Sequence, residues 1–238
     1  MIKAVIFDFG QTLVDSANGF RSAEKQAEQK LFENLSQVEW DDFIDRYRLI
    51  RRRFVGNSDF SRIAMWKELF LTFNQKGDEM LLKQWETEYW ETVKNYTKPF
   101  PETESVLAKL KNMFSLAVIT NTQGQRGSGT HRISLFPEIE KYLDALIVSG
   151  EEGIPPKPDP VPFQLCLDKL GIINNEAVFI GDDWGIDMVG AKNAGIRPIW
   201  LKHHLVKRNW PDMEGNVPVI TSLDQLIDSN GMLNFYSE

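Results

Sequence analysis

A single cysteine, Cys166, stands among 238 residues. It excludes an internal disulfide framework and fits a reducing compartment, so a cytoplasmic location is expected. Phe163, Leu165, Leu167 and Leu170 flank it on what reads as one helix face, which makes it a core thiol rather than a nucleophile. No apolar run is long enough to span a membrane, and because the first predicted strand follows the N-terminus directly, no signal peptide is expected. Internal repeats and low-complexity segments are lacking. Positive charge is in deficit, with 27 Lys and Arg against 34 Asp and Glu, a net charge of −7. That balance argues against a nucleic-acid backbone as partner. Hydrophobic residues at 42% support a substantial core. The length admits one large α/β unit or a core carrying an inserted module.

Strand signals are absent from a long early stretch, and this sets the predicted organisation. Residues 4–7 form an apolar run that ends in Asp8 and the turn Gly10-Gln11-Thr12, the pattern of a buried parallel strand. After Asp15-Ser16, which supplies capping chemistry, some eighty residues read as helical. Phe20, Ala23, Ala27 and Leu31 form one amphipathic stripe. Further helices are predicted over 40–54, 60–73 and 80–96, the last with Trp85, Tyr89, Val93 and Tyr96 along one face. Four successive helices suggest an inserted bundle over residues 16–98, with its aromatic stripe serving packing. Arg51-Arg52-Arg53 lies on this module, either as a solvated helix face or with one arginine reaching an anionic substrate.

Lys98-Pro99-Phe100-Pro101 breaks the helical run as a hinge. Beyond it strands and helices alternate. Strands are expected at 115–120, 144–148, 177–181 and 198–201, with a short edge strand at 217–220 where Pro218 disfavours a central place. Helices are expected at 102–113, 161–170 and 188–194, and a closing helix at 223–227. This alternation predicts an α/β, doubly wound parallel sheet, with residues 1–15 and 99–238 forming the core around the helical insertion.

Ligands bind such sheets at the carboxyl ends of the strands. That edge collects Asp8, the pair Thr120-Asn121, the cluster Asp182, Asp183 and Asp187, and Lys157 in a proline-rich loop. Each alone is an ordinary cap or turn. Together, carboxylates this close would repel unless a cation sat among them, and hard oxygen donors suit Mg²⁺. The hydroxyl, nearby amides and lysine would hold an anion such as phosphate, with Asp8 as nucleophile.

These motifs resemble those of the haloacid dehalogenase superfamily, and the resemblance covers nearly the whole chain. Asp8 to Leu13 matches its first motif, Thr120 with Asn121 its second, Lys157 in Lys-Pro-Asp-Pro its third. The fourth matches Gly181-Asp182-Asp183-Trp184-Gly185-Ile186-Asp187, continuing to Gly195. The resemblance implies a Rossmann-like core with a helical cap, and Mg²⁺-dependent turnover of a small phosphorylated metabolite such as a sugar phosphate. It implies Asp8 as nucleophile, Thr120, Asn121 and Lys157 as phosphate-binding residues, and Asp8, Asp182 and the Gly10 carbonyl as metal ligands. Asp183 and Asp187 would support the metal and orient Lys157.

One position departs from the pattern. Phosphatases of the superfamily usually carry a second Asp two residues after the nucleophile, and here Gly10 stands there. A lost general acid is typically worth ~10²–10⁴-fold in rate. Either the leaving group departs without a proton, another group such as Gln11, His131 or a cap residue substitutes, or turnover is lost. The departure also admits a dehalogenase that uses Asp8 on carbon without metal, although three retained carboxylates disfavour it. Phosphonate cleavage would need a Schiff-base lysine, for which Lys25, Lys30, Lys67, Lys76, Lys83 and Lys94 are candidates. A phosphate-binding protein without turnover is the non-enzymatic alternative. The glycine-rich stretch 124–129 reads as a surface loop that follows a strand end, and His203-His204 as a solvated loop.

Overall fold

The computed structural model describes residues 1–56, 59–122, 124, 132–213, 215–228 and 232–236. The chain divides into two compact units, one of residues 1–15, 98–122 and 131–238, the other of residues 16–97 and 123–130. Lys98 pairs with Asp15 inside the first unit.

The first unit is an α/β sheet of six parallel strands. In chain order they are β1 (Ala4–Phe7), β4 (Ser115–Asn121), β5 (Ala145–Ser149), β6 (Ala177–Gly181), β7 (Arg197–Leu201) and β8 (Val219–Ile220). A separate two-stranded ladder joins β2 (Val14–Asp15) antiparallel to β3 (Lys98–Pro99), where the sequence suggested only a hinge. The main sheet runs β5-β4-β1-β6-β7-β8. The earliest strand is therefore central, and all four of its residues are buried. Chain progression reverses about β1, so the ligand-binding crevice of such a fold opens beside it.

Strand alternation divides the apolar residues between two faces. Val5, Phe7, Leu116, Val118, Val178 and Ile180 pack with Val106, Leu107 and Leu110 of α5 (Thr103–Lys111). Ala4, Ile6, Ala117, Ile119 and Phe179 pack with Phe163, Cys166 and Leu167, which belong to a helix spanning Val161–Leu170. Cys166 is fully buried, as expected of a core thiol. Pro218 precedes β8 at the sheet edge, where its carbonyl accepts from Trp200 N–H.

Two expectations fail in this unit. The closing helix at 223–227 is a single 3₁₀ turn, Leu223–Leu226. Leu223 and Leu226 turn inward to the core at a three-residue spacing, and Ile227, also buried, leaves the turn to bridge Leu233. His203 is not solvated but fully buried. Glu102, beside the start of α5, draws it in: one carboxylate oxygen is shared by His203 Nε2 at 2.9 Å, Ser222 Oγ at 2.8 Å and Leu223 N at 3.2 Å. Phe100 stacks on the imidazole at 3.6 Å between centroids. His204, one residue on, is exposed.

The second unit contains α1 (Ala17–Glu33), α2 (Trp40–Gly56), α3 (Arg62–Thr72) and α4 (Glu79–Tyr96). Ala23, Ala27 and Leu31 are buried at four-residue spacing, beside Phe43, Tyr47, Trp66 and Trp90. Small residues on α1 let it approach α4 closely. A Cβ at Gly19 would lie 2.6 Å from the Val93 carbonyl. Asp78 caps α4 by accepting from Met80 N and Leu81 N, and Ser61 caps α3 through Ala64 N. No described helix is long and apolar enough to cross a membrane.

Candidate active site

Register along the central strands brings the chemistry together within the first unit. Phe7 lies opposite Val118 on one side and Ile180 on the other. One step further, Asp8 leaves β1 with its N–H donated to Ile180 O at 2.8 Å. Thr120 near the end of β4 and Asp182 just past β6 then emerge at about the same level. The side chains of Asp8, Thr120, Lys157, Asp182 and Asp187 are all buried or nearly so.

Lys157 is the hub. Its ammonium has three N–H groups, and three acceptors take them: Asp8 Oδ1 at 2.8 Å, Asp187 Oδ1 at 2.6 Å and Ile119 O at 2.9 Å. Burial would lower its pKa, but Asp187 and Asp8 outweigh burial and hold it above the usual lysine range. It is a fixed positive charge rather than a proton donor at neutral pH.

Asn121 holds Lys157 in place by its backbone. Its Oδ1 accepts from Lys157 N at 2.8 Å and from Ser149 Oγ at 2.7 Å, and its Nδ2 donates to Lys157 O at 3.1 Å. Three of the four hydrogen-bonding positions of that amide are thus committed within the protein. Thr120 differs. Among the described residues its Oγ1 makes only a long 3.5 Å contact, with Asn121 O.

The carboxylate cluster is organised by the turn after β6. Asp183 caps that π-type turn, Trp184–Met188, by accepting from Ile186 N at 3.0 Å. Its own N–H donates to Asp187 Oδ2 at 3.0 Å. Gly181 makes the arrangement sterically possible, since a Cβ there would lie 2.5 Å from Asp187 Cγ and 2.6 Å from its Cβ. Asp187 is pushed up to about 6, first by burial and then by Asp8, with Lys157 opposing. Asp182 is raised well above the usual carboxylate range by burial and by Asp187 and Asp8.

Two residues enter that sequence reasoning missed. Arg208 donates from Nη1 to Asp182 Oδ2 at 2.5 Å and from Nη2 to Asp183 Oδ2 at 3.4 Å. Trp200 Nε1 donates to the Asp182 carbonyl at 2.9 Å. The available signal was positional: both lie on or just after β7, the next strand along the same edge.

Asp8, Asp182 and Asp187 each offer an oxygen within 4.8 Å of the others. With Asp183 they set four carboxylates against Lys157 and Arg208, a formal charge of −2. The donors are all oxygen, and neither histidine nor cysteine joins the cluster among the described residues. Such a set can hold a hard divalent cation. Gly10 lies two residues past Asp8, where it bridges Val14 in a turn that puts Gln11 at a φ of 61°.

The cap arginines and lysines belong to the second unit. Arg51 pairs with Glu24 at 2.8 Å, Arg53 with Glu68, and Arg52 Nε donates to Arg48 O at 3.4 Å. None of Lys25, Lys30, Lys67, Lys76, Lys83 and Lys94 is buried, whereas a Schiff-base lysine relies on desolvation to lose its proton. Residues 125–129 of the glycine-rich stretch, and His131, lie outside the described residues.

A family model of haloacid dehalogenase-like hydrolases matches residues 2–195. A glyceraldehyde 3-phosphate phosphatase of Pyrococcus abyssi is 26% identical over 204 residues, covering 85% of this chain and 82% of that protein. A phosphoglycolate phosphatase of Aquifex aeolicus is 29% identical over 209 residues, covering 87% and 88%. Among solved structures, a 2-haloacid dehalogenase from Pseudomonas syringae pv. Tomato DC3000 aligns with a TM-score of 0.68 at 27% identity, covering 95% of this chain and 96% of that one.

Proposed function

The chain belongs to the haloacid dehalogenase-like hydrolases, and we propose that it is a phosphatase that hydrolyses a small phosphorylated metabolite through an aspartyl-phosphate on Asp8. The observation that carries this reading is the convergence of Asp8, Asp182 and Asp187, two of which, Asp8 and Asp187, share the saturated ammonium of Lys157. The phosphatase names of the similar curated proteins support it.

In this proposal Asp8 attacks phosphorus, the phosphoester oxygen leaves, and the phosphoryl group passes to the Asp8 carboxylate. Water then attacks the same phosphorus, which releases phosphate and restores Asp8. Lys157 orients Asp8 and balances charge on the phosphoryl oxygens. The Thr120 hydroxyl donates to one of those oxygens, and Asn121 fixes the Lys157 backbone. Asp8 and Asp182, with the Gly10 carbonyl, would hold Mg²⁺, and Asp183 and Asp187 would keep that set in order. The bound ion would neutralise phosphoryl charge as a Lewis acid. Gly10 offers no acid for the leaving group, and Lys157 holds its proton too firmly to replace one. The preferred substrates are therefore phosphates whose leaving group departs without protonation, such as acyl or anomeric phosphates.

A second reading is supported by the dehalogenase at 27% identity and by Gly10: Asp8 would displace halide from carbon with no cation required. One panel separates the two. Purified protein is offered acetyl phosphate, sugar phosphates, 2-phosphoglycolate and 2-chloropropionate, each with Mg²⁺ and with EDTA, while phosphate and halide are measured. Phosphate release that needs Mg²⁺ and disappears in Asp8→Asn is the expected result. Halide release indifferent to EDTA would replace the phosphatase reading by the dehalogenase one. Phosphate binding with no turnover on any member would favour a binding protein.

A further inference from the structure

We propose that Arg208 is a positioning residue for the candidate cation site, holding one oxygen of Asp182 so that the other is presented to a divalent cation. The inference rests on the metal reading above. It names a residue outside the four motifs, in the segment between β7 and β8.

Three contacts converge on the guanidinium. Nη1 reaches Asp182 Oδ2 at 2.5 Å and Nη2 reaches Asp183 Oδ2 at 3.4 Å. The Trp210 ring lies against it, 4.6 Å from centroid to Cζ. Each anchor is itself held. Asp183 is fixed through Oδ1 by Ile186 N–H. Trp210 packs edge-on against Trp200 at 6.2 Å between centroids, and the Trp200 indole N–H donates to the Asp182 carbonyl. Asp182 is thus held at the backbone by one tryptophan and at the carboxylate by an arginine seated on another.

The remaining oxygen of Asp182, Oδ1, has no hydrogen-bond partner among the described residues. A carboxylate with one oxygen tied to a planar cation and the other available is a pre-oriented monodentate ligand. Outer partners of this kind typically change metal affinity by ~10–100-fold when removed. Arginine suits the task better than lysine, because its rigid fork serves two carboxylates while its face rests on the indole.

The test is Mg²⁺ titration by calorimetry on the full chain without substrate, so its outcome does not depend on phosphatase activity. Arg208→Met is expected to weaken Mg²⁺ binding ~10–100-fold and to shrink the Mg²⁺-induced rise in Tm. Arg208→Lys is expected to recover part of the loss. Trp210→Leu, which reaches Asp182 only through Arg208 and Trp200, is expected to weaken binding by less than Arg208→Met. Far-UV circular dichroism in EDTA checks that each variant is folded. Unchanged Mg²⁺ affinity in folded Arg208→Met would overturn the proposal. Tighter binding would overturn it too, by identifying Arg208 as a competing cation. Wild type that takes up no Mg²⁺ would overturn this inference and the metal reading together. Mg²⁺ binding without phosphate release would count against the phosphatase reading alone.

Discussion

Replacing Gly181 by alanine sets one methyl group against the side chain of Asp187. The new carbon would sit 2.5 Å from Asp187 Cγ and 2.6 Å from Asp187 Cβ, where carbon atoms pack comfortably at ~3.5–4.0 Å. A displacement of about 1 Å is therefore required. Side-chain rotation cannot supply it, since the Asp187 Cβ is itself in the way. The backbone is held as well, by Asp187 N donating to Asp183 O at 2.8 Å. If backbone relaxation absorbs the strain, the cost is that of overpacking, ~1–3 kcal/mol. If Asp187 leaves Lys157, the cost is that of breaking a buried ion pair, ~3–5 kcal/mol. The second value is expected, because Asp187 Oδ1 lies only 2.6 Å from Lys157 Nζ and an ångström of movement ends that contact. Guanidinium unfolding at pH 7.5, with wild type and Gly185→Ala in parallel, measures it. At Gly185 a Cβ meets, among the described residues, only Asp183 Oδ1 at 3.6 Å, so that control should stay within ~0.5 kcal/mol of wild type. Equal stability of the two variants would refute the idea that Asp187 fills the space a side chain at Gly181 would need.

Three more outcomes are expected. Lys157→Met strands Asp8 and Asp187 without their shared cation and should cost ~3–5 kcal/mol in urea unfolding while abolishing turnover; a stable, active variant would contradict the hub role. The His203–Glu102 pair should make two acid-sensitive contributions to stability, opposed in the upper range by Asp187 and Asp182, whose raised values favour the fold as pH falls. Burial holds His203 below its ordinary 6.5 despite Glu102, so the unfolded chain takes up that proton first and stability falls as pH drops through that range. Glu102 is buried, yet hydrogen bonds to its carboxylate hold it below 4.5, so its contribution is lost as pH falls further. In Tm measured from pH 8 to 3 against wild type, His203→Gln should remove the upper contribution and Glu102→Gln the lower; slopes identical to wild type in both would count against the pair as the source. Finally, burial pushes the Cys166 thiol up to about 12, so a thiol reagent at pH 8 should label the chain only on unfolding, and rapid labelling of native protein would place Cys166 outside the core.

Patterns a few residues long were legible in the chain itself. The buried run at 4–7, the helix Val161–Leu170 and the strand Ala177–Gly181 declare themselves because period-two and period-3.6 burial are local properties. So were the residues whose type suits chemistry, since carboxylates at strand ends repeat at fixed offsets from apolar runs. The burial of His203 is not legible in the chain, for the complementary reason. Its neighbours in sequence are polar, and its burial comes from Glu102, a hundred and one positions away.

What the sequence determined by itself was the alternation of strands and helices, the helical stretch after β1, and a set of acidic and basic residues at the strand ends. Tertiary structure decided the partners. The order β4-β1-β6 brings Lys157 to Asp8, Asp187 and Ile119, turns Asn121 onto the Lys157 backbone, and brings Arg208 to Asp182 and Asp183. Burial patterns report which side of an element faces the core. They carry no information on which distant element lies beside it, because that depends on strand order and register across the whole sheet.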